Sequence, residues 1–279
     1  MVLSKHLGRR MTPDKNSGQV IALLSDFGLH DQYAAVMKGV ILTLNPTARI
    51  VDITHDVLPH KIRQGGYLLW TTYQYFPKGT IFVGVVDPGV GSARLVIVVK
   101  TKQFTFLAPN NGLLDFILNE SEVLEAVELT EKTAAKYTLN EISSTFHGRD
   151  VFAPLAAHLS KGLALKQLGV PFIPPGVLSP FVHSRSDVAR SSILHIDHFG
   201  NIVTNLTSRD FDRTTQEIQA ISLGRNLVSR WIRFYDEAPE NTPCLIVGSN
   251  KLVEISAKNN SAAHLLNATL DTALKIYWR

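Results

Sequence analysis

Three short motifs of this chain carry side chains that can accept or donate a proton. The segment DPGVGSAR places Asp87 and Arg94 around small and bending residues at the end of an apolar run. The segment STFHGRD places His147 beside Gly148, and an imidazole with an ordinary pKa of about 6.5 suits proton transfer near neutral pH. The segment SDFG places Asp26 directly after the apolar run VIALL. These are the residue types of a general acid–base site.

Each motif also has a structural interpretation. Asp26 can accept hydrogen bonds from the two hydroxyls of a ribose, or it can form an Asx turn or a cap for the helix expected near Asp31. Asp87 and Arg94 can form an ion pair that only braces their turn. A lone histidine such as His147 is more often a structural residue than a catalyst. From the spacing alone, both interpretations of each motif stay open.

Alternating strand and helix patterns predict an α/β N-terminal domain with a largely parallel central sheet. Apolar runs read as buried strands, helical spacing occurs over residues 31–42 and 60–75, and a further helix is expected to begin near Asp150. Ligands of open α/β sheets lie beyond the carboxyl ends of the strands, where Asp26 and Asp87 fall. DPGVGSAR is expected to be a turn, because it lacks the lysine and the following helix of a phosphate-binding loop.

The composition changes at the proline-rich segment PFIPPGVLSP. The shorter, alternating and turn-separated segments after it predict a smaller C-terminal all-β domain, barrel-like in form. We therefore expect a disordered tail over residues 1–18, an N-terminal domain over 19–175, a linker over 176–190 and a C-terminal domain over 191–279.

Composition and charge exclude several classes of protein. A single cysteine, Cys244, excludes an internal disulfide framework, and the histidines lack the spacing of a zinc site, so no metal is predicted. Most of the net charge of +4 lies in the first 18 residues, which argues against a nucleic-acid partner. No apolar run reaches the roughly 18 residues that cross a bilayer, and the N-terminus lacks the apolar core of a signal peptide. We therefore expect a cytoplasmic protein without a membrane partner.

Eight motifs together resemble one family, the S-adenosyl-L-methionine (SAM) hydroxide adenosyltransferases, which are also called adenosine-forming SAM hydrolases and are related to fluorinases and chlorinases. In chain order they are SDFG, MKGVI, ITHDV, DPGVGSAR, APNNGLL, FHGRD, IDHFGNIVTN and VGSN. The resemblance runs from about Val20 to about Ala263. It implies a homotrimer in which each active site lies between the N-terminal domain of one subunit and the C-terminal domain of its neighbour.

The resemblance implies hydrolysis of SAM to adenosine and L-methionine by in-line attack of activated water on the ribose 5′ carbon. Asp87, Arg94 and His147 match the family's triad that positions and activates this water. The sulfonium of SAM is already a good leaving group, so we expect neither a cofactor nor a metal. SAM, adenosine and L-methionine are the expected small-molecule partners.

The resemblance also assigns substrate contacts. Asp26 matches the aspartate that holds the ribose hydroxyls, and Thr145 and Phe146 match the segment that lines the substrate pocket. Asp197 is the expected partner of the substrate ammonium. Asp197, Phe199 and Asn201 match the motif that meets the methionine part of the substrate. Ser249 falls where the C-terminal domain of the family contacts substrate. Asn250 departs from the arginine that fluorinases carry there.

Two other functions compete with hydrolysis. Halogenation is disfavoured because Asp87 and Gly148 stand where fluorinases carry a tyrosine and the halide-contacting serine, and a carboxylate repels an incoming halide. A non-catalytic sensor of SAM or adenosine would have no need of the three triad residues. Replacement of Asp87 separates a sensor from a hydrolase.

Overall fold

The computed structural model describes residues 18–174, 178–182, 191–208 and 211–279. The chain forms two compact units, Met1–Leu178 and Ser179–Arg279, which we call the N-terminal and C-terminal units. The division falls within the segment predicted as a linker. The predicted tail, apart from Gly18, and most of the predicted linker lie outside the described residues.

The N-terminal unit has the predicted α/β organisation. Its strands are β1 (Val20–Ser25), β2 (Arg49–Thr54), β3 (Ile81–Val85), β4 (Val96–Thr101), β5 (Thr105–Pro109), β6 (Val123–Leu129) and β7 (Gly169–Pro171). Its helices are α1 (Tyr33–Leu44), α2 (Ile62–Tyr73), α3 (Asp115–Glu120), α4 (Glu131–Ala134) and α5 (Ala153–Ser160), with a π-helical turn at Gly148–Phe152 and a 3-10 turn at Leu165–Gln167.

The seven strands form one sheet in the order β2-β1-β3-β5-β4-β6-β7. Strands β2, β1, β3 and β5 run parallel to one another, which confirms the parallel core of the prediction. Strands β4, β6 and β7 are added in antiparallel pairings. The short connection between β4 and β5 explains the change, because parallel neighbours need a long crossover.

Helix α1 covers the sheet through an apolar stripe. Met37 and Ile41, four residues apart, are 1% and 0% exposed and pack in the same core cluster as Ile21 and Leu23 of β1. Full burial of such a side chain contributes about 1.5–3 kcal/mol. This packing holds the end of β1, and with it Asp26, in a rigid frame.

The C-terminal unit is built from antiparallel sheets, as predicted. Its strands are β8 (Ile193–Ile196), β9 (Ile202–Thr207), β10 (Ile218–Leu223), β11 (Asn226–Val228), β12 (Cys244–Val247), β13 (Leu252–Ser256) and β14 (Leu274–Trp278). Two sheets result, in the orders β12-β13-β9-β8 and β11-β10-β14. Two short helices, α6 (Phe211–Glu217) and α7 (Ala262–Leu266), and a 3-10 turn at Tyr235–Glu237 complete the described elements.

Candidate active site

A cavity of about 290 Å³ lies at the carboxyl ends of two parallel strands of the N-terminal unit. Strands β1 and β3 are neighbours, with Ser25 opposite Val85, so the residues that follow them meet at one edge of the sheet. Asp26 follows β1, Asp87 lies just beyond β3, and both line the cavity. The parallel pairing therefore brings two carboxylates from distant motifs to one site.

Asp87, Arg94 and His147 form one connected cluster. Arg94 donates from Nε to Oδ1 of Asp87 over 2.8 Å, and its Nη2 donates to Oδ2 of the same carboxylate. The Nη2 atom also lies 3.0 Å from Nδ1 of His147. The side chains of Arg94 and Asp87 are only 11% and 5% exposed. The sequence left open whether this pair merely braces its turn, and the structure joins it to the predicted histidine.

The bond between Arg94 and His147 fixes the tautomer of the imidazole. A guanidinium has only donors, so Nδ1 of His147 must be the acceptor and the ring proton of neutral His147 resides on Nε2. Burial and then the charge of Arg94 lower the pKa of His147, against the opposing effect of Asp87 and Asp150. His147 is therefore neutral near pH 7 and lines the cavity with an N–H group to donate.

The DPGVGSAR segment is a turn, as predicted, and glycine is required at its tip. Val90 N donates to Asp87 O over 3.2 Å, and Ser92 N donates to Gly89 O over 3.1 Å. Gly91 has φ of 78°, and a Cβ added there would lie 2.2 Å from the carbonyl oxygen of Ser144. The turn thus packs directly on the segment that leads to His147, which brings the two motifs together.

The segment before His147 is held by a buried carboxylate. Asp150 is 0% exposed, and its Oδ2 accepts from the backbone N of Ser143 over 2.8 Å. Arg149 Nε donates to Oδ1 of Asp150 over 2.5 Å. The helix expected near Asp150 begins instead as the π-helical turn Gly148–Phe152, and His147 directly precedes it. These bonds explain the order FHGRD, because the last two residues anchor the loop that presents the histidine.

Three aromatic rings form one wall of the cavity. The ring centroids of Phe27 and Phe146 are 5.8 Å apart, and those of Tyr33 and Phe146 are 5.0 Å apart in an edge-to-face arrangement. All three rings line the cavity beside Asp26, and Thr145 lies at its exposed side. A flat apolar ligand can therefore contact aromatic rings while its polar groups reach a carboxylate.

Asp26 is not the cap of helix α1. The residue before that helix is Gln32, which makes no side-chain capping bond, whereas Oδ2 of Asp26 accepts from the backbone N of His60 over 2.9 Å. This bond fixes the carboxylate at the cavity and leaves it further acceptor capacity. The capping interpretation of Asp26 is therefore wrong.

A buried network behind Asp26 escaped the sequence analysis. Ser25 Oγ lies 2.7 Å from Nδ1 of His55, and Nε2 of His55 lies 3.1 Å from Oδ1 of Asp52. The other oxygen of this carboxylate, Oδ2, accepts from Nζ of Lys38. Ser25 is only 1% exposed, so this Ser–His–Asp arrangement cannot present a nucleophile to a substrate. Ser25 Oγ instead accepts from Phe27 N over 3.3 Å. The network braces the SDFG turn, and its only trace in the sequence was that SDFG and ITHDV both occur among the eight family motifs.

The predicted residues of the C-terminal unit lie together with one exception. Asp197, Phe199 and Asn201 line a cavity of about 740 Å³. Oδ1 of Asp197 accepts from the backbone N of Phe199 and of Asn201, over 2.9 and 2.8 Å. Oδ2 of Asp197 accepts from Nδ2 of Asn201 over 2.9 Å. Ser249 lies in the exposed turn between β12 and β13, outside the lining of this cavity.

The described residues contain no group of three or more histidine, cysteine, aspartate or glutamate side chains placed to hold a metal ion. No helix in this part of the chain is both long and apolar enough to cross a bilayer.

Family models match both units of the chain. Residues 21–169 match the SAM hydroxide adenosyltransferase N-terminal domain, and residues 191–275 match the corresponding C-terminal domain. Each match lies within one of the two structural units, in the same order along the chain.

Curated relatives agree with these matches. An (R)-S-adenosyl-L-methionine hydrolase of Salinispora arenicola is 35% identical, over 92% of this chain and 97% of that protein. A protein of the same name from Thermus thermophilus is 34% identical, over 88% of this chain and 94% of its own length. A fluorinase of an Actinoplanes species is less similar, at 27% identity over 71% of this chain and 75% of the fluorinase.

Solved structures share the fold. The crystal structure of an uncharacterized conserved protein from Thermotoga maritima superposes with a TM-score of 0.81 at 31% identity, covering 92% of this chain and all of that one. A conserved hypothetical protein from Thermus thermophilus superposes with a TM-score of 0.73 at 30% identity.

Proposed function

The chain belongs to the SAM hydroxide adenosyltransferase family, and from this premise we propose that it hydrolyses SAM to adenosine and L-methionine. The observation that carries the proposal is the Asp87–Arg94–His147 cluster, which lines or supports a cavity with an aromatic wall. The identity of 33–35% to four curated (R)-SAM hydrolases supports the same substrate.

The proposed reaction is a single displacement at the ribose 5′ carbon. The water oxygen forms a bond to this carbon while the bond from carbon to sulfur breaks, and the bonding pair leaves on sulfur as the neutral thioether of methionine. The water loses one proton, so the products are adenosine, L-methionine and a proton. Because the leaving group is already positively charged, the protein must mainly align the oxygen and accept the proton.

We assign the proton to Asp87. Its carboxylate has acceptor capacity beyond the two bonds from Arg94, whereas neutral His147 carries its proton on the only nitrogen that Arg94 leaves free. His147 Nε2–H then donates to the water oxygen and stabilises the charge that develops on it. Arg94 holds the carboxylate in one orientation through two bonds.

The linings of the two cavities support the following substrate contacts. The adenine lies against the rings of Phe27, Tyr33 and Phe146, and Asp26 accepts from the ribose hydroxyls. Thr145 lines the same cavity as these rings. Asp197, Phe199 and Asn201 receive the methionine end, whereas the exposed position of Ser249 gives it a peripheral role.

A turnover assay with a binding control tests the function. Wild-type protein is expected to convert SAM to equal amounts of adenosine and methionine by chromatography, and Asp87→Ala is expected to bind SAM without converting it. Wild-type protein that binds SAM by calorimetry but leaves it unchanged would instead be a sensor.

Three further properties are proposals of the same kind. We propose that the enzyme needs no cofactor or metal, so that turnover persists after treatment with a chelator. We propose a cytoplasmic homotrimer whose active sites are shared between subunits, as the family resemblance implies. Light scattering of the full chain measures the trimer. Mixed assembly of the inactive Asp87→Ala and Asp197→Ala variants should restore part of the activity if sites are shared.

A further inference from the structure

The loop after β1 and the loop after β2 are hydrogen-bonded to each other at Asp26. The two strands are parallel neighbours, so these loops leave the sheet side by side. Gly28 N donates to the carbonyl oxygen of His55 over 2.7 Å, and the backbone N of His60 donates to Oδ2 of Asp26 over 2.9 Å. The position of the Asp26 carboxylate therefore depends on the loop after β2 as well as on its own loop.

The imidazole of His55 is hydrogen-bonded through both of its nitrogens. Nδ1 lies 2.7 Å from Oγ of Ser25, the residue before Asp26, and Nε2 lies 3.1 Å from Oδ1 of Asp52. His55 and Ser25 are 2% and 1% exposed, and neither lines the active-site cavity. His55 therefore cannot touch a substrate in that cavity, and any effect that it has on the reaction passes through the residues that it holds.

A bulge in β2 makes the contact between His55 and Asp52 possible. Leu23 of β1 pairs with Asp52, whereas Leu24 pairs with Thr54, so β2 carries one extra residue at this point. Side chains three residues apart in a regular strand point to opposite faces, and an extra residue brings them to the same face. Bulges are rare in parallel pairs and are over-represented next to active sites, where they re-aim a side chain. The departure from regular pairing thus coincides with the network.

The direction of each hydrogen bond in this network is fixed. Although burial opposes it, the hydrogen bonds from Lys38 and His55 hold the pKa of Asp52 below its ordinary value, so this carboxylate only accepts. Nε2 of His55 is then a donor, and Nδ1 of the neutral ring accepts from the hydroxyl of Ser25. Oγ of Ser25 in turn accepts from the backbone N of Phe27 over 3.3 Å. The network thus holds the SDFG turn on both sides of its aspartate.

We propose that His55 is a positioning residue for the ribose of SAM: acting through Ser25, it holds the carboxylate of Asp26 where the ribose hydroxyls donate to it. This inference rests on the proposed function, in which Asp26 binds the ribose. A binding group must be held within about 0.5 Å of its productive position, so loss of this support weakens the bonds from the hydroxyls. The displacement itself takes place at Asp87, and the effect of His55 therefore falls on substrate binding rather than on kcat.

Two substitutions of His55 separate its two hydrogen bonds. The amide of asparagine occupies the place of Nδ1 and can accept from Ser25, whereas the longer glutamine places its amide near Nε2 and reaches Asp52 instead. We expect the KM for SAM to rise about tenfold in His55→Gln and less than about threefold in His55→Asn, with kcat nearly unchanged in both variants. His30→Gln makes the same change at an exposed histidine of the loop after β1 and should match the wild type.

Ligand preference measures the position of Asp26 without turnover. Calorimetry on the full-length proteins compares adenosine with 2′,3′-dideoxyadenosine, which lacks the 2′ and 3′ hydroxyls of the ribose. The wild type should prefer adenosine, and His55→Gln should lose about tenfold of this preference through weaker binding of adenosine alone. Asp26→Asn should also lose the preference, and adding His55→Gln to it should cause no further loss, because the histidine acts only through this carboxylate. A purely structural role would lower the free energy of unfolding and leave the preference unchanged.

The possible results separate this inference from the proposed function. Turnover of SAM by the wild type, with an unchanged preference in folded His55→Gln, would overturn the inference and leave the proposed function intact. If His55→Gln does not fold by circular dichroism, an unchanged preference in Ser25→Ala would overturn it equally, as would an equal loss of preference in His30→Gln. Absence of turnover in the wild type, with a preference for adenosine that depends on His55, would overturn the proposed function and support the positioning role.

Discussion

The two units handle buried charge in opposite ways. In the N-terminal unit the carboxylate of Asp87 is neutralised by two bonds from Arg94, which also holds His147. In the C-terminal unit Asp197 and Glu254 place two carboxylates near each other, and no described cation pairs with Glu254. The carboxylate of Asp87 thus has its own counter-ion, whereas among the described residues no cation is paired with Asp197 or Glu254.

This difference matches the chemistry assigned to each cavity. A water molecule is neutral, so a site that activates it gains from a fixed, internally balanced set of donors and acceptors. An ammonium group brings a charge, so the proposed methionine end gains from a carboxylate such as Asp197, which has no cationic partner among the described residues.

Replacement of Asp87 by asparagine should abolish most of the activity. The change keeps the shape of the side chain but removes the proton acceptor and the charge that pairs with Arg94. We expect kcat to fall by about 10²–10⁴-fold, the usual contribution of a general base, as measured by adenosine formation. Glu122→Gln, at an exposed position of the same unit, is the control. A kcat within threefold of the wild type would place the base elsewhere.

The pH dependence of stability should reveal Glu254. Its pKa in the folded protein is about 7, above the ordinary 4.5, so the folded state holds the proton more tightly. The resulting stabilisation is complete below about pH 4.5 and is lost as the pH rises to about 7. At 1.36 kcal/mol per pKa unit the loss is at most about 3 kcal/mol.

Denaturant titrations of wild type and Glu254→Gln measure this effect. The variant should gain stability relative to the wild type between pH 5 and pH 7.5. Parallel curves for the two proteins would show that Glu254 is ionised and well solvated throughout.

Replacement of Gly91 by alanine should damage the turn that joins the two catalytic motifs. The new Cβ would meet the carbonyl oxygen of Ser144 at 2.2 Å, in a backbone with φ of 78°. We expect a loss of about 1–3 kcal/mol in the free energy of unfolding, with a fall in kcat of about tenfold. Gly162→Ala is the matched control, because Gly162 has φ of 91° but open space around it. Equal effects of the two changes would show that contact with Ser144 is unimportant.

Replacement of Ser25 by alanine should have the smallest effect. It removes the hydrogen bond to His55 and the acceptor for Phe27 N, which should cost about 1–2 kcal/mol in the free energy of unfolding. The kcat should fall only a few-fold, because Ser25 braces the SDFG turn and is enclosed. A loss of activity as large as that of Asp87→Asn would identify Ser25 as a catalytic residue.

The sequence predicted the structure best where the residue pattern of a segment also determines which segments lie beside it in the fold. Continuous apolar strands predicted the parallel core, and the ends of β1 and β3 placed Asp26 and Asp87 at one edge of the sheet. Spacing alone could not join Asp87 to His147, because their connection through Arg94 requires the turn at Gly91 to pack against Ser144. The family resemblance supplied that connection.

Glu254 shows what remained out of reach. Its strand, LVEIS, reads as an ordinary half-exposed strand with a charge on the solvent face. In the fold Glu254 is only 8% exposed and lies in a strand between β12 and β9, and neither this burial nor this pairing can be predicted from the residues of the strand itself. The antiparallel direction of the pairing between β4 and β5 could likewise not be predicted, because buried apolar strands have the same residue pattern in parallel and antiparallel sheets.

The most direct test of the central claim is the fate of the oxygen atom of water. SAM is incubated with the purified full-length protein in water enriched in ¹⁸O, and the nucleoside product is analysed by mass spectrometry. We expect the wild type to form adenosine with one heavy oxygen at the ribose 5′ position, and Asp87→Asn to form almost none. Adenosine without the label, or equal labelled product from the variant, would contradict attack by water activated at Asp87.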